Sequence, residues 1–510
     1  MDLSIGSLSL AALATILLSL LIRNALLARR ETRAKLPPGP WNLPIVGSLH
    51  HLVGSPPHRA LLHLTRRHGP LMLLQLGEVP TVIVSSLEAA MEVMKINDPI
   101  FASRPRGAML DVVSFGGKGL ILAPYGEHWR QMRKVCMVEL LSTRQVRRME
   151  RIRQSQVSLL IESVFIAATS ALPSAVVNLS QGLTELTNNV IARAVFSGKC
   201  QQQQEYLLEL GVGTTLVGGF SLADLFPSSR LAQWLSGTTC NLRKSHNRIQ
   251  DIISGIILER KEKQRSSAFP GFEDEDLLDV LLRLQEEDSL AFPLTAEIIN
   301  AVIYDIFGAA TDTTAATLEW AMAELIRNPQ AMSRATSEIR ERLGQGIAMI
   351  TSTDLGDLRY LRMVIKETLR LHPAVPLILR ASQEKCKIMG YEIPKGTSVF
   401  INTFAVASDP SYWDNTEEFK PERFENSTLD YNWARFEFIP FGAGRRQCPG
   451  ALFATMTIEL TLANLLYHFD WALPDGADPK ALDMGEVFGV TVRRRSNLCM
   501  LLLTPFFNMS

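Results

Sequence analysis

Near the C-terminus, Phe441-Gly442-Ala443-Gly444-Arg445-Arg446-Gln447-Cys448-Pro449-Gly450 sets one cysteine among glycines, directly ahead of an apolar run that starts at Ala451. Glycines allow close backbone approach and proline is tolerated where a helix begins, so the pattern predicts a thiol held in a loop just before a helix N-terminus. There the dipole and free N–H groups favour a thiolate, which suits a single axial bond to haem iron. Taken alone, such a residue reads first as a buried structural cysteine. The other cysteines, at 136, 200, 240, 386 and 499, form no CxxC and meet no clustered histidines. That excludes a disulfide scaffold or a zinc ribbon and points to a reducing compartment.

A second reactive pattern is Phe307-Gly308-Ala309-Ala310-Thr311-Asp312-Thr313-Thr314, halfway along a predicted helix over 296–327 that ends at Asn328-Pro329. Such a helix is about 48 Å long and crosses a large body. Small residues followed by hydroxyls and an acid are poor helix formers, so the pattern predicts a locally opened i to i−4 ladder with room for dioxygen and water. Core packing is the plainer alternative. Glu367 with Arg370, and Trp129 with Arg133, are spaced to share a helix face; in isolation they read as a surface ion pair and an amphipathic edge.

The elements that position these groups are mainly helical. Pattern and caps predict helices over 87–95, 127–140, 143–165, 183–196, 201–217, 240–265, 296–327, 329–343, 361–371 and 451–468. A hairpin over 71–76 and 81–84, with short strands over 387–388, 398–401 and 498–503, forms a small β part. The 510 residues include 52 Lys plus Arg against 52 Asp plus Glu, so net charge argues for neither nucleic acid nor an acidic substrate. Hydrophobic residues at 46% exclude a disordered or collagenous chain.

Leu3 to Ile22 is a 20-residue uncharged stretch, long enough as a helix to cross a bilayer. Arg23, Arg29, Arg30, Arg33 and Lys35 follow it, and Asp2 alone precedes it, which keeps the C-terminal body on the cytosolic side. The acidic start and the length argue for an uncleaved anchor over a signal peptide. Leu36-Pro37-Pro38-Gly39-Pro40-Trp41 opens a stiff hinge. The expected organisation is an anchor with basic flank over 1–35, a proline-rich hinge over 36–47 and a body over 48–510.

The spacing F-x-x-G-x-R-x-C-x-G, met by Phe441, Gly444, Arg446, Cys448 and Gly450, resembles the haem signature of the cytochrome P-450 monooxygenases. That resemblance implies a mainly α fold with a small β part, a long central helix over the haem, and haem b on Cys448. It also implies that Phe441 shields the sulfur and that Arg446, Trp129, Arg133 and Arg380 meet propionates. Glu367 and Arg370 resemble the family's E-x-x-R, which Arg423 of Pro421-Glu422-Arg423-Phe424 joins in a buried network. Asp312 and Thr313 resemble its oxygen-activation pair and so would deliver protons, with Ala310 standing where glycine is usual. Hinge, anchor, Phe101-Ala102-Ser103-Arg104-Pro105 and Asp224-Leu225-Phe226-Pro227 look like the plant microsomal branch, A-type and family-71-like.

By family position, Val113, Phe115, Asp305, Ala309, Val375, Leu379 and Phe488 contact substrate under a roof formed by 213–227, and their mostly apolar character favours a lipophilic metabolite. A terpenoid comes first, then a phenylpropanoid or an amino-acid-derived oxime or indole. The likeness implies the endoplasmic reticulum membrane and electrons from NADPH through cytochrome P-450 reductase, with cytochrome b5 as a second candidate donor. No nicotinamide or flavin fingerprint is present in the chain. A haem-thiolate isomerase or dehydratase working without O2 is the competing enzyme, against which the Asp312-Thr313 pair argues. A non-catalytic tethered haem protein is the third reading.

Overall fold

Thr295 and Asn328-Pro329 bound the central element as the pattern predicts. In the computed structural model its α-helix spans Ala296–Arg327, the Thr295 hydroxyl accepts from the N–H of Ile298, and Pro329 opens the next helix. The structure describes residues 35–170, 176–197, 202–216, 220–235, 238–266, 275–288, 290, 292–431 and 435–505. The expected anchor at Leu3 to Ile22 lies outside them. Among the described residues no helix is long and apolar enough to cross a membrane.

The described chain forms two compact units. One holds residues up to Pro105 together with Leu379–Asn402. Its sheet contains β1 (Leu71–Leu76), β2 (Val79–Val84), β3 (Leu377–Ala381, where the chain enters this unit) and β4 (Ser398–Asn402), in the order β1-β2-β4-β3. The hairpin β1-β2 is antiparallel with Leu71 opposite Val84, and β2 runs parallel to β4 with Thr81 opposite Ser398. Near-continuous apolar sequence in β2 and β4 fits strands buried on both faces.

The other unit, Arg106–Ile378 with Thr403 onward, is helical. Its site-bearing helices are α1 (Glu127–Val135), α2 (Glu150–Ser170), α3 (Leu179–Phe196), α4 (Gln203–Leu216), α5 (Thr238–Ser266), α6 (Ala296–Arg327), α7 (Pro329–Leu343), α8 (Arg359–Leu371) and α9 (Ala451–His468). Helix α6 is buried along most of its length and packs chiefly on α3. A small antiparallel sheet of Val176–Asn178, Cys499–Pro505 and Phe469–Ala472 closes one edge.

Several expected elements are corrected. The single helix expected over 143–165 is two, Thr143–Arg148 and α2, because Met149 turns out of helical geometry at ψ 4°. The helices expected over 87–95 and 127–140 each finish in one wide π turn, Glu92–Ile96 and Cys136–Leu140. Pro57–His68 and Leu277–Glu287 are helices that were not among the expected ones. The second carried a local mark, since Asp276 and Asp279 form a reciprocal capping box.

Candidate haem-thiolate site

The glycines do what the pattern requires of them. Gly442 and Gly444 both have φ +69°, a region other residues avoid, and they let the loop fold so that the Cys448 N–H donates to the Phe441 carbonyl at 2.9 Å. Gly450 then caps α9. The Cys448 side chain is exposed, yet burial within the protein pushes its thiol pKa up, against the lowering effects of the Gly450 N–H and of Arg133. Both observations hold if the sulfur faces an internal hollow, not bulk solvent. Desolvation outweighs these two effects, and a cation bonded to the sulfur is what would ionise it.

Trp129 and Arg133 lie on one face of α1. The Trp129 indole N–H donates to the Leu120 carbonyl at 3.1 Å, and the Arg446 guanidinium sits 4.2 Å from the Trp129 ring centroid. Arg446 also donates to the carbonyls of Leu120 at 3.0 Å and Ala123. From the opposite side the Asp305 carboxylate of α6 accepts the N–H groups of Leu120 and Ile121, at 2.5 and 2.9 Å. A side chain at Gly119 could not coexist with this, since a Cβ there would lie 2.3 Å from Asp305 Oδ2. Asp305, expected against substrate, is thus turned to the backbone of 120–121. Arg133 is half-buried, burial lowers its pKa while Cys448 opposes that shift, and among the described residues it has no hydrogen-bond partner. Arg380, buried on β3, belongs to the other unit.

Helix α6 stays α-helical through 307–314, so the expected opening of the ladder is absent. The hydroxyls are accommodated by back-bonding instead: Thr313 Oγ1 donates to the Ala309 carbonyl at 2.6 Å and Thr311 Oγ1 to that of Phe307 at 3.0 Å, which spares the ladder. Ala309 is exposed in the middle of an otherwise buried helix, which marks where α6 borders open space. Asp312 is ion-paired with Arg493. No sequence pattern announced Arg493; it lies on a two-stranded ladder, opposite Val487, whose turn carries Phe488.

Glu367, Arg370 and Arg423 come together. Arg370 donates bidentately to Glu367 at 2.8 and 2.9 Å, Arg423 Nε adds a third bond at 2.9 Å, and the Lys420 N–H a fourth. Remaining guanidinium donors reach the carbonyls of Ala407, Thr416, Asp414 and Glu418. Glu367 and Arg370 are wholly buried, so the surface-pair alternative is excluded.

Val113 and Phe115 are buried at and after the short helix Ala108–Val113. Phe488 meets Phe220 edge-on at 5.8 Å, joining its turn to the expected roof. The Val375 segment is tied to that turn through the Val492 N–H and the Ala374 carbonyl, whereas Leu379 falls in the other unit.

A cysteine presented by such a loop ahead of α9, together with a long, largely buried central helix, defines a haem-thiolate fold. The family model for cytochrome P-450 matches residues 37–500, and the chain belongs to that family. It is a monooxygenase of the plant branch. It is 46% identical over 494 residues to desmethyl-deoxy-podophyllotoxin synthase of Sinopodophyllum hexandrum, covering 96% of each chain. Zealexin A1 synthase of Zea mays is 44% identical, with 92% of this chain and 93% of that one covered. Germacrene A hydroxylase of Barnadesia spinosa is 43% identical, with 97% and 96% covered. Among solved structures, a zebra fish cytochrome P-450 with progesterone superposes with TM-score 0.74 at 27% identity, covering 88% of this chain and 100% of that one.

Proposed function

We propose that this monooxygenase acts on a small lipophilic plant specialised metabolite, in the first place a terpenoid, with electrons from NADPH delivered by cytochrome P-450 reductase. In hydroxylation one C–H bond is broken and C–O and O–H bonds form. The second oxygen atom leaves as water, taking up the two electrons of NADPH and two protons. The observation that carries the reading is the Cys448 thiol, desolvated in a glycine-shaped loop ahead of α9 and within electrostatic reach of the Arg133 guanidinium, which has no hydrogen-bond partner among the described residues.

This donor set fits haem b. Cys448 Sγ would hold the iron and Phe441 would cover the sulfur, with Arg133, Trp129 and Arg446 directed to the propionates. When bound, haem supplies the redox-active iron at which dioxygen is reduced. The protein's own groups manage protons and water. Thr313 Oγ1 carries a proton parked on the Ala309 carbonyl, and Asp312, held by Arg493, stands beside it as the acid of the pair. Val113, Phe115, Ala309, Val375 and Phe488 supply apolar surface that excludes water, and Asp305 braces the segment next to them.

Relatives named for germacrene A and zealexin support a terpenoid, and the relative named for podophyllotoxin supports a phenylpropanoid-derived substrate as the runner-up. The apolar run Leu3 to Ile22 and its basic flank support an endoplasmic reticulum anchor with the body in the cytosol, a hinge over 36–47 between them, and cytochrome b5 as an auxiliary donor.

Reduced carbon monoxide spectra of wild type and Cys448→Ala test the ligand. A thiolate band that survives the substitution overturns it. Oxygen-dependent turnover of a terpenoid and phenylpropanoid panel in reductase-containing microsomes tests the reaction, and product formed without O2 would move the reading to an isomerase. Removing Met1 to Arg30 should release the protein from membranes with its carbon monoxide band intact.

A further inference from the structure

Arg493 has a fixed backbone and a side chain that reaches solvent. Its neighbour Val492 donates its N–H to the Ala374 carbonyl at 2.9 Å, and the Val492 carbonyl accepts the Trp320 indole N–H of α6 at 3.3 Å. On the other side Arg494 is buried, its guanidinium 5.8 Å from the Trp320 ring centroid and bonded to the Asp483 carbonyl at 2.6 Å. The strand is therefore moored on α6 at Trp320. From there the Arg493 guanidinium reaches the Asp312 carboxylate, yet the Arg493 side chain keeps 45% of its surface in solvent, against 16% for Asp312.

A second acid lies on the same face of α6. Glu319 follows Asp312 by seven residues, or two turns, which sets the two about 10 Å apart along one side of the helix. It directly precedes Trp320, where the Arg493 strand is moored. The Ser180 hydroxyl donates to one Glu319 oxygen at 2.6 Å. Burial pushes the Glu319 carboxyl pKa up while Ser180, Arg494 and Arg493 oppose the rise, so Arg493 is within electrostatic reach of this acid too. A carboxylate has about four acceptor positions, enough for a guanidinium beside the serine. A part-exposed ion pair shifts a population by only about twofold to fivefold, because water screens it and a long side chain loses freedom in it. The Arg493–Asp312 pair is thus a weak latch on a firm mooring.

We infer that Arg493 is a positioning residue that exchanges between Asp312 and Glu319. On Asp312 it occupies the carboxylate that is to carry the proton. On Glu319 it leaves Asp312 open to take a proton from solvent water and pass it toward Thr313, the next residue. This rests on the proton-delivery reading of Asp312 and Thr313 and deepens it: Glu319 is where the guanidinium is parked while the acid is loaded.

The test labels carboxylates of the full-length protein with a water-soluble carbodiimide and glycine ethyl ester. Mass spectrometry reads the rate at Asp312 in wild type, Arg493→Gln, Arg493→Lys and Glu319→Gln. Glutamine at 319 keeps an oxygen for Ser180, and circular dichroism with the carbon monoxide band shows that each variant is folded. Arg493→Gln should raise labelling of Asp312 about twofold to fivefold, and Arg493→Lys should restore most of the protection. Glu319→Gln should lower labelling about twofold, because the guanidinium then has no second anion to visit. A merely structural role would loosen the site in every variant and would not produce shifts of opposite sign. In reductase-supported turnover of a compound that wild type oxidises, Glu319→Gln should also enlarge the solvent isotope effect on product formation and the share of NADPH lost to peroxide. Labelling that does not rise in Arg493→Gln, or does not fall in Glu319→Gln, overturns the exchange. Unchanged NADPH coupling in Asp312→Asn would instead overturn the proton-delivery reading, while labelling still decides on the exchange.

Discussion

Arg446 and Trp129 meet face to face, guanidinium over indole at 4.2 Å, and both donate to one acceptor, the Leu120 carbonyl. With Asp305 bonding the N–H groups of Leu120 and Ile121, the segment 119–123 is held from the cysteine loop, from α1 and from α6 at once. Replacing Arg446 by Lys removes the planar fork and the stacking, since an ammonium cannot reproduce either. Amide exchange over Leu120 to Ala123 should accelerate and stability should fall by about 1–3 kcal/mol. Unchanged exchange in that segment would show that the clamp does not hold it.

Glu367→Ala leaves Arg370 and Arg423 without their carboxylate in a buried place. Breaking such a network costs about 3–5 kcal/mol, so expression should yield little folded haemoprotein. Normal yield with normal thermal stability would reduce the network to an incidental arrangement.

Thr313→Ala deletes the hydroxyl that donates to Ala309 without touching a helix contact on the opposite face. Folding and substrate binding should persist, while product per NADPH falls about tenfold to a hundredfold and hydrogen peroxide rises. Measured side by side, unchanged coupling would remove Thr313 from proton delivery.

Asp276 caps the helix Leu277–Glu287 and pairs with Arg260 at 2.8 Å. Burial, the largest influence, raises its pKa to about 6; Arg260 opposes the rise and Asp279 adds to it. The folded state therefore binds this proton more tightly than the unfolded chain does. Between pH 4 and 6 the group's contribution makes stability decline as pH rises. Asp276→Asn retains a capping oxygen and should flatten that part of the profile. A wild-type slope of the opposite sign that vanishes in the variant would contradict the assignment.

The sequence by itself determined whatever depends on neighbours along the chain. Helices Ala296–Arg327, Pro329–Leu343 and Ala451–His468 end where caps and prolines said they would, because a cap acts through backbone groups within one turn. The loop around Cys448 was legible for the same reason: its glycines answer a local φ requirement. Glu367 with Arg370 was legible as a pair, but its burial was not, because solvent exclusion is set by residues about fifty positions away at Asp414 to Arg423. Only the tertiary structure decided that Asp305 faces the Leu120 backbone, that Arg493 holds Asp312, and that the Cys448 thiol is raised and not lowered in pKa. Each of those outcomes turns on desolvation and on partners brought from distant segments, and neither quantity is a property of local spacing.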